Sequence, residues 1–326
     1  MAILVCGYGL IGRKRVEALI ESGVEASQIH IFDPFIPNLK NDLLGSIVLD
    51  DLESVSLSKY SRAIVAIPHQ FAVSTVVKLL DLGLKVLMEK PMGRNLLEVR
   101  ALAEHKNSSN LSIGFNYRFM PGIVKLKHLI EINEFGDLYS IRIDLGHGGK
   151  PEDTVSWKLD PEIAGGGVIL DPGIHVMDLL HFIFLNQIEF VNVEKTVTWS
   201  GFWNTGIEEI AFVVGKINDI IFNLNLSIVS WKTKFFFEVI GSEGYAILNG
   251  RGRSDGPQTL ALGKRWGWIS GQSQSSSEQI VVQEKEDRSI FLETVAWLNG
   301  EDAVANSQDG LKSEILRQEI LSVNSK

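Results

Sequence analysis

Cysteine is almost absent from this chain. Cys6 stands alone among 326 residues, which excludes an internal disulfide and any cysteine-built metal cluster and fits a reducing compartment. Long apolar runs are missing too. None approaches the roughly 20 residues of a bilayer span, and the N-terminus enters an apolar strand with no basic n-region or cleavage site. A soluble, cytoplasmic protein with no membrane partner is expected. Nor is there a basic surplus: 31 lysines and arginines face 40 aspartates and glutamates, a formal charge of −9, so no nucleic acid or other polyanion is expected as a partner. What is plentiful is apolar side chain, 45% of the residues, and a chain this long suggests two domains at the usual size of about 100–200 residues each. No internal repeat is present.

Residues 2–6 read as a short buried strand, followed at once by Gly7-Tyr8-Gly9-Leu10-Ile11-Gly12 and an amphipathic helix ending near Gly23. A lone G-x-G-x-x-G says little, but one set between strand and helix is a much stronger dinucleotide signal. The first glycine makes the tight turn, the second lets a pyrophosphate approach the backbone, and the third lets helix pack on strand. The helix N-terminus supplies N–H groups for the phosphates. A second strand, 28–32, ends in Asp33, 21 residues after Gly12, where a ribose 2′-hydroxyl would be held. An aspartate that merely starts a turn with Pro34 is the alternative. Asp33 would repel a 2′-phosphate, and Pro34, Phe35, Ile36 and Pro37 offer no cation to receive one, so NAD is expected over NADP. Of Arg13, Lys14 and Arg15, at least two are expected on a solvated face, with Arg13 the candidate to assist the pyrophosphate.

Strand signals recur at 46–49, 63–67, 85–88 and 111–115, with helical patterns at 71–82 and 96–105 between them, which predicts a doubly wound parallel sheet. Ligands bind such sheets beyond the carboxyl ends of the strands. There the chain delivers Pro68-His69 and Glu89-Lys90-Pro91, so Pro68, Glu89 and Lys90 join the candidate cofactor contacts and Lys90 is placed to face a nicotinamide. A surface lysine would read the same way. After Asn116-Tyr117-Arg118-Phe119-Met120-Pro121 the pattern changes. A helix over 122–134 leads into long alternating segments at 138–146, 188–200, 209–217, 219–230, 233–240 and 244–248, predicting a large, mostly antiparallel open sheet with helices on one face. The expected organisation is therefore 1–120, a dinucleotide-binding domain, and 121–326, an α/β domain for substrate binding and oligomerisation. A sheet face left bare favours a homo-oligomer, with Phe212, Val214, Phe222, Leu224 and Leu226 as candidates for that face. Residues 251–277, rich in Gly and Ser, read as a long loop, and two helices, 289–298 and 310–323, close the chain.

In Gly165-Gly166-Gly167-Val168-Ile169-Leu170-Asp171-Pro172-Gly173-Ile174-His175-Val176-Met177-Asp178, Asp171 reads as a helix N-cap and Pro172 as the first helical residue. His175 and Asp178 then share a side with Asp171, placing an imidazole beside carboxylates. On this segment alone a capped core helix with one satisfied histidine is the better reading, since such caps are far commoner than active sites. A metal could be held by Asp171, His175, Asp178 and His181 on spacing alone, but none is expected.

In this order and spacing, the three fingerprint glycines, Glu89-Lys90-Pro91, Asn116-Tyr117-Arg118-Phe119, the Gly165 to Asp178 motif and Asp309-Gly310-Leu311 resemble the Gfo/Idh/MocA family of NAD(P)-dependent oxidoreductases over nearly the whole chain. The resemblance implies a Rossmann domain joined to an α/β domain whose open sheet often forms an oligomer interface. It also implies a catalytic group of Lys90, Asp171 and His175. One departure is Ala72, where family members often carry a histidine four residues after the equivalent of Pro68. The residue types fit alcohol–carbonyl interconversion. His175 would take the hydroxyl proton, Lys90 would stabilise the developing alkoxide and Asp171 would orient the imidazole or share the hydroxyl. The expected substrate is a sugar or nucleotide sugar, in a pocket bounded by Lys90, Tyr117, Arg118, Trp157, Asp171 and His175. Lys264, Arg265, Trp266 and Trp268 would hold a diphosphate and stack a base, or the aromatics would pack that loop onto the sheet or an oligomer interface. A dimer or tetramer is expected. The alternatives are a non-catalytic NAD- or sugar-binding regulator of the same fold, or a reductase of a larger conjugated substrate akin to the biliverdin reductases.

Overall fold

The computed structural model describes residues 2–34, 44–49, 59–149, 156–184, 191–264 and 278–324. It divides into two compact units. The first takes 1–116, 162–165 and 289–314, and the second takes 117–161, 166–288 and 315–326.

The first unit is built on β1 (Ala2–Cys6), β2 (Ile29–Phe32), β3 (Ile47–Val48), β4 (Tyr60–Val65), β5 (Lys85–Glu89) and β6 (Leu111–Gly114). Helices α1 (Leu10–Glu21), α2 (His69–Asp81) and α3 (Leu96–Ala103) lie between strands. The sheet runs β6-β5-β4-β1-β2-β3, all parallel, so the order reverses at β1. Val86, Leu87 and Met88 are all buried, as expected of a strand covered on both faces rather than one. Two late segments return to this unit. Residues Ser289–Asn299, a helix, and the short strand Ala305–Asn306 lie in it, the strand antiparallel to β6 at the sheet edge.

The second unit begins with α4 (Pro121–Glu131), β7 (Leu138–Gly146), the one-turn α5 (Pro161–Ala164), which straddles the division, and α6 (Ile174–Phe184). Strands β8 (Val191–Trp199), β9 (Ile210–Ile217), β10 (Ile220–Ser227), β11 (Lys234–Gly241), β12 (Gly244–Asn249), β13 (Gln258–Lys264) and β14 (Gln279–Glu284) follow. The chain ends with α7 (Ser289–Asn299), β15 (Ala305–Asn306) and α8 (Ser307–Asn324). The eight-stranded sheet runs β14-β13-β12-β11-β7-β10-β9-β8 and is antiparallel except where β10 meets β7. Its core holds Ile123, Leu126, Val176, Leu180, Leu224, Phe235 and Phe237, from α4, α6 and one sheet face. Among the described residues no helix is long and apolar enough to cross a membrane.

Three expectations need correction here. The stretch 251–277 is not one loop, because Gln258–Lys264 pairs with β12 as a strand; Leu260 is fully buried and pulls it onto the sheet. Phe222, Leu224 and Leu226 do not share a face with Phe212 and Val214. Antiparallel register sets Leu224 opposite Val213 and Phe212 opposite Asn225, so the three β10 residues point into the core while Phe212 and Val214 stay 50% and 36% exposed. Helix α6 starts at Ile174, not at Pro172. The N–H groups of Leu170 and Asp171 donate to Gly167 O and that of Gly173 to Val168 O, so a run of turns occupies the stretch read as a first helical turn.

Candidate functional site

The fingerprint loop follows directly from β1. Gly7 has φ +93°, and a Cβ there would lie 2.2 Å from Ala66 O; at Gly12 a Cβ would lie 2.0 Å from Gly7 O. Both positions therefore need glycine for the turn and for helix-on-strand contact. Gly9 differs. A Cβ there meets nothing within 4 Å, so its glycine leaves open the approach to the backbone at the start of α1, where no side chain caps the helix. The Tyr8 N–H donates to Asp33 Oδ2 at 2.7 Å, which fixes the carboxylate beyond β2 beside the loop. Tyr8 is buried, Leu10 is 75% exposed and Ile11 is intermediate. This open backbone, uncapped helix end and anchored acid fit a dinucleotide. Phe35, Ile36 and Pro37 lie outside the described residues.

Arg13 is exposed, with its guanidinium 5.4 Å from the Tyr8 ring centroid. Arg15 is wholly buried. Its Nε donates to Glu89 Oε1 at 2.8 Å, its Nη1 to Thr294 Oγ1 at 2.9 Å, and its Nη2 pairs with Glu293 on α7. The position was readable in principle, since Arg15 sits on the buried stripe with Gly12, Val16 and Leu19. Glu89 at the end of β5 is thus engaged by Arg15, and Lys90, next along, is half-buried. Pro68 precedes α2, and His69 bonds the Ala164 carbonyl at 2.8 Å through Nδ1. Cys6 supplies no thiolate: burial, then the charge of Asp33, pushes its pKa up to about 12.

In the second unit, Tyr117 and His175 come together. Their rings stack at 3.9 Å between centroids and 4° between planes, and both are buried. The Tyr117 hydroxyl accepts from Arg251, whose Nε donates to Asp255 at 3.0 Å. Burial raises the Tyr117 pKa, and Arg251 pulls the other way. Arg118 turns elsewhere. Its Nε and Nη2 reach the two oxygens of Asp178 at 2.8 and 2.5 Å, both side chains almost wholly buried, so a substrate would have to displace that pair to use its fork. Asp171 receives Lys158 Nζ at 3.3 Å, and Trp157, half-buried, neighbours that lysine. Gly167 serves packing, because a Cβ there would lie 2.1 Å from Glu208 O. Lys264 pairs with Glu134 at 2.8 Å, while Arg265, Trp266 and Trp268 lie outside the described residues. Among the described residues no three of His, Cys, Asp and Glu are grouped to hold a metal.

Sequence reasoning missed Lys158, Arg251 and Asp255. No local pattern marks Arg251: its partner Tyr117 is 134 residues away in the chain. Lys90 lies in the first unit, and Asp171 and His175 in the second.

The first unit, with its strand order and glycine turn, is that of an NAD-binding Rossmann domain, and family models agree. "Oxidoreductase family, NAD-binding Rossmann fold" matches residues 1–117, and "GFO/IDH/MocA C-terminal domain" matches 123–247. Together they cover roughly three quarters of the chain, which belongs to the Gfo/Idh/MocA oxidoreductase family. A levoglucosan dehydrogenase of Pseudarthrobacter phenanthrenivorans is 26% identical over 139 residues, 41% of this chain and 35% of the relative. An inositol 2-dehydrogenase of Corynebacterium glutamicum is 24% identical over 182 residues, 53% and 51% of the two chains. This chain thus spans about half or less of the curated relatives it matches first. In fold it resembles a levoglucosan dehydrogenase in complex with NADH and levoglucosan, at TM-score 0.80 and 16% identity, over 100% of this chain and 97% of that one.

Proposed function

We propose that this protein is an NAD-dependent dehydrogenase that interconverts a secondary alcohol and a ketone on a sugar or nucleotide sugar. The observation that carries the reading is His175, buried and stacked flat on Tyr117 in the motif that the family resemblance marks as catalytic. When bound, the nicotinamide accepts or supplies the hydride. His175 takes the hydroxyl proton on an imidazole nitrogen. Lys90 donates a hydrogen bond to the same oxygen and stabilises the alkoxide. Asp171, beside Lys158, orients the substrate hydroxyl or the imidazole. Residues 1–120 would hold the dinucleotide and 121–326 the substrate, with Asp33 selecting NAD over NADP. Relatives named for levoglucosan, inositol and UDP-N-acetylglucosamine support a sugar-like substrate. The reading extends to a dimer or tetramer through the outward face of the eight-stranded sheet, where among the described residues Val197, Trp199, Phe212 and Ile221 are each 50% exposed.

The test is a thermal-shift and turnover screen of polyols, free sugars and nucleotide sugars with NAD and with NADP. Oxidation of at least one of them with NAD is expected. Nucleotide-dependent stabilisation without turnover of any would favour a regulator instead, and equal or tighter NADPH than NADH binding would defeat the role of Asp33. Light scattering at micromolar concentration should give a mass above the 36.2 kDa of one chain.

A further inference from the structure

Arg251 follows β12 and Gly250, and its side chain is only 11% exposed. A guanidinium this far from water is costly unless every face is engaged. Here Nε donates to Asp255 Oδ2 at 3.0 Å, Nη1 donates to the Tyr117 hydroxyl, and the fork's central carbon stands 5.6 Å from the Tyr117 ring centroid. On its face the same ring carries His175 at 3.9 Å, and Phe235 meets it edge-on at 5.6 Å and 76°. Tyr117 is thus held by its hydroxyl, its face and its edge. Only the hydroxyl contact brings a charge.

We propose that Arg251 is a positioning residue for His175: it clamps the Tyr117 ring against the imidazole, fixing the plane of that ring and keeping it neutral and ready to take a proton. The inference rests on the reading of His175 as the base. Other charged groups lie near this ring and α6: Asp178 is held by Arg118, Asp171 upstream by Lys158, and Lys127 of α4, over the Phe182 ring, by Glu131, while Arg253, paired with Asp287, also acts on Tyr117 and His181 lies further along α6. Asp255 is the carboxylate that Arg251 itself balances. Removing Arg251 takes away the cation that bonds the Tyr117 hydroxyl on the ring stacked against His175, and loss of a nearby cation favours the imidazolium.

The experiment follows the His175 ring by NMR across pH, assigned by its loss in His175→Asn, alongside the pH profile of kcat/KM. In Arg251→Met the His175 midpoint should rise by about half a pH unit or more. In Arg251→Lys it should rise less. The acid limb of kcat/KM should move with it. Should Arg251→Met fail to fold, Arg251→Met with Asp255→Asn removes both charges together; in that variant the upfield shift of the His175 ring protons, which stacking on Tyr117 produces, should shrink. A midpoint and ring shift that both stay at the wild-type values overturn the clamp. A rise in KM alone, with the pH profile unmoved, makes Arg251 a substrate contact and overturns it as well. A midpoint that moves while the rate profile does not follow overturns His175 as the base, and with it any part for Arg251 in turnover, while the physical coupling between the two residues stands.

Discussion

The fingerprint loop and the segment that opens α6 are both glycine-rich turns leading into a helix, yet they are held together in different ways. In the loop, a Cβ on Gly12 would strike the carbonyl of Gly7, five residues back, and only Gly7 itself answers to a distant backbone group, Ala66 O just past β4. Around α6 the determinants are distant in sequence. Glu208 packs on Gly167, Arg118 holds Asp178 from 60 residues away, and Arg251 holds Tyr117 from 134. A site made from its own neighbours shows in the sequence as a spacing. A site made from remote side chains shows there as isolated residues with no pattern.

The largest effect that would sharpen this contrast is at the remote pair. Arg118→Leu removes the fork that bonds both oxygens of the buried Asp178 carboxylate, and a loss of about 3–5 kcal/mol in urea unfolding is expected. Lys158→Ala, breaking a pair whose lysine is 56% exposed, should cost under about 1 kcal/mol in the same measurement. Equal losses would mean that burial is not what separates the two pairs.

Next come Lys90→Ala and His175→Ala. Each should lower turnover by at least about 10²-fold while NADH fluorescence titration shows binding retained. Near-normal turnover in either variant removes that residue from the chemistry.

Within the loop, Gly12→Ala should cost about 1–3 kcal/mol, because the added methyl meets the Gly7 carbonyl. Gly9→Ala should leave the melting temperature close to wild type and still weaken NADH binding, since space around Gly9 is open in the protein. If Gly9→Ala bound NADH normally, the open approach to the backbone would not be the cofactor's.

The smallest effect concerns His30, whose Nδ1 lies 2.7 Å from the Tyr60 hydroxyl. Burial, and then Lys59, lowers its pKa. A histidine lowered in the folded state charges more readily when unfolded, so it costs stability as pH falls through its ordinary value of about 6.5. Between pH 7.5 and 5.5, His30→Gln should lose less stability than the wild type, by under about 1 kcal/mol. An identical loss in both proteins would remove His30 from the pH response.

Much of the first unit was legible: the alternation of strands and helices and the glycine turn, beside which the Tyr8 N–H holds Asp33. Which of the three consecutive cations turns inward was not legible, because it depends on Glu89 and Glu293 converging on Arg15. In the second unit, periodicity found six of the eight strands. It missed β13 in a stretch rich in glycine and serine, and it assigned the β10 side chains to the wrong face, because alternation reveals that a strand has two faces but not which one is covered. Local spacing determined the parallel nucleotide-binding sheet and its loop, and the family resemblance singled out Lys90, Asp171 and His175 as candidates. Only the tertiary structure decided that α6 starts at Ile174, that Arg118 belongs to Asp178, and that Arg251 and Tyr117 stand behind His175, since those outcomes depend on which distant groups share a space closed to water.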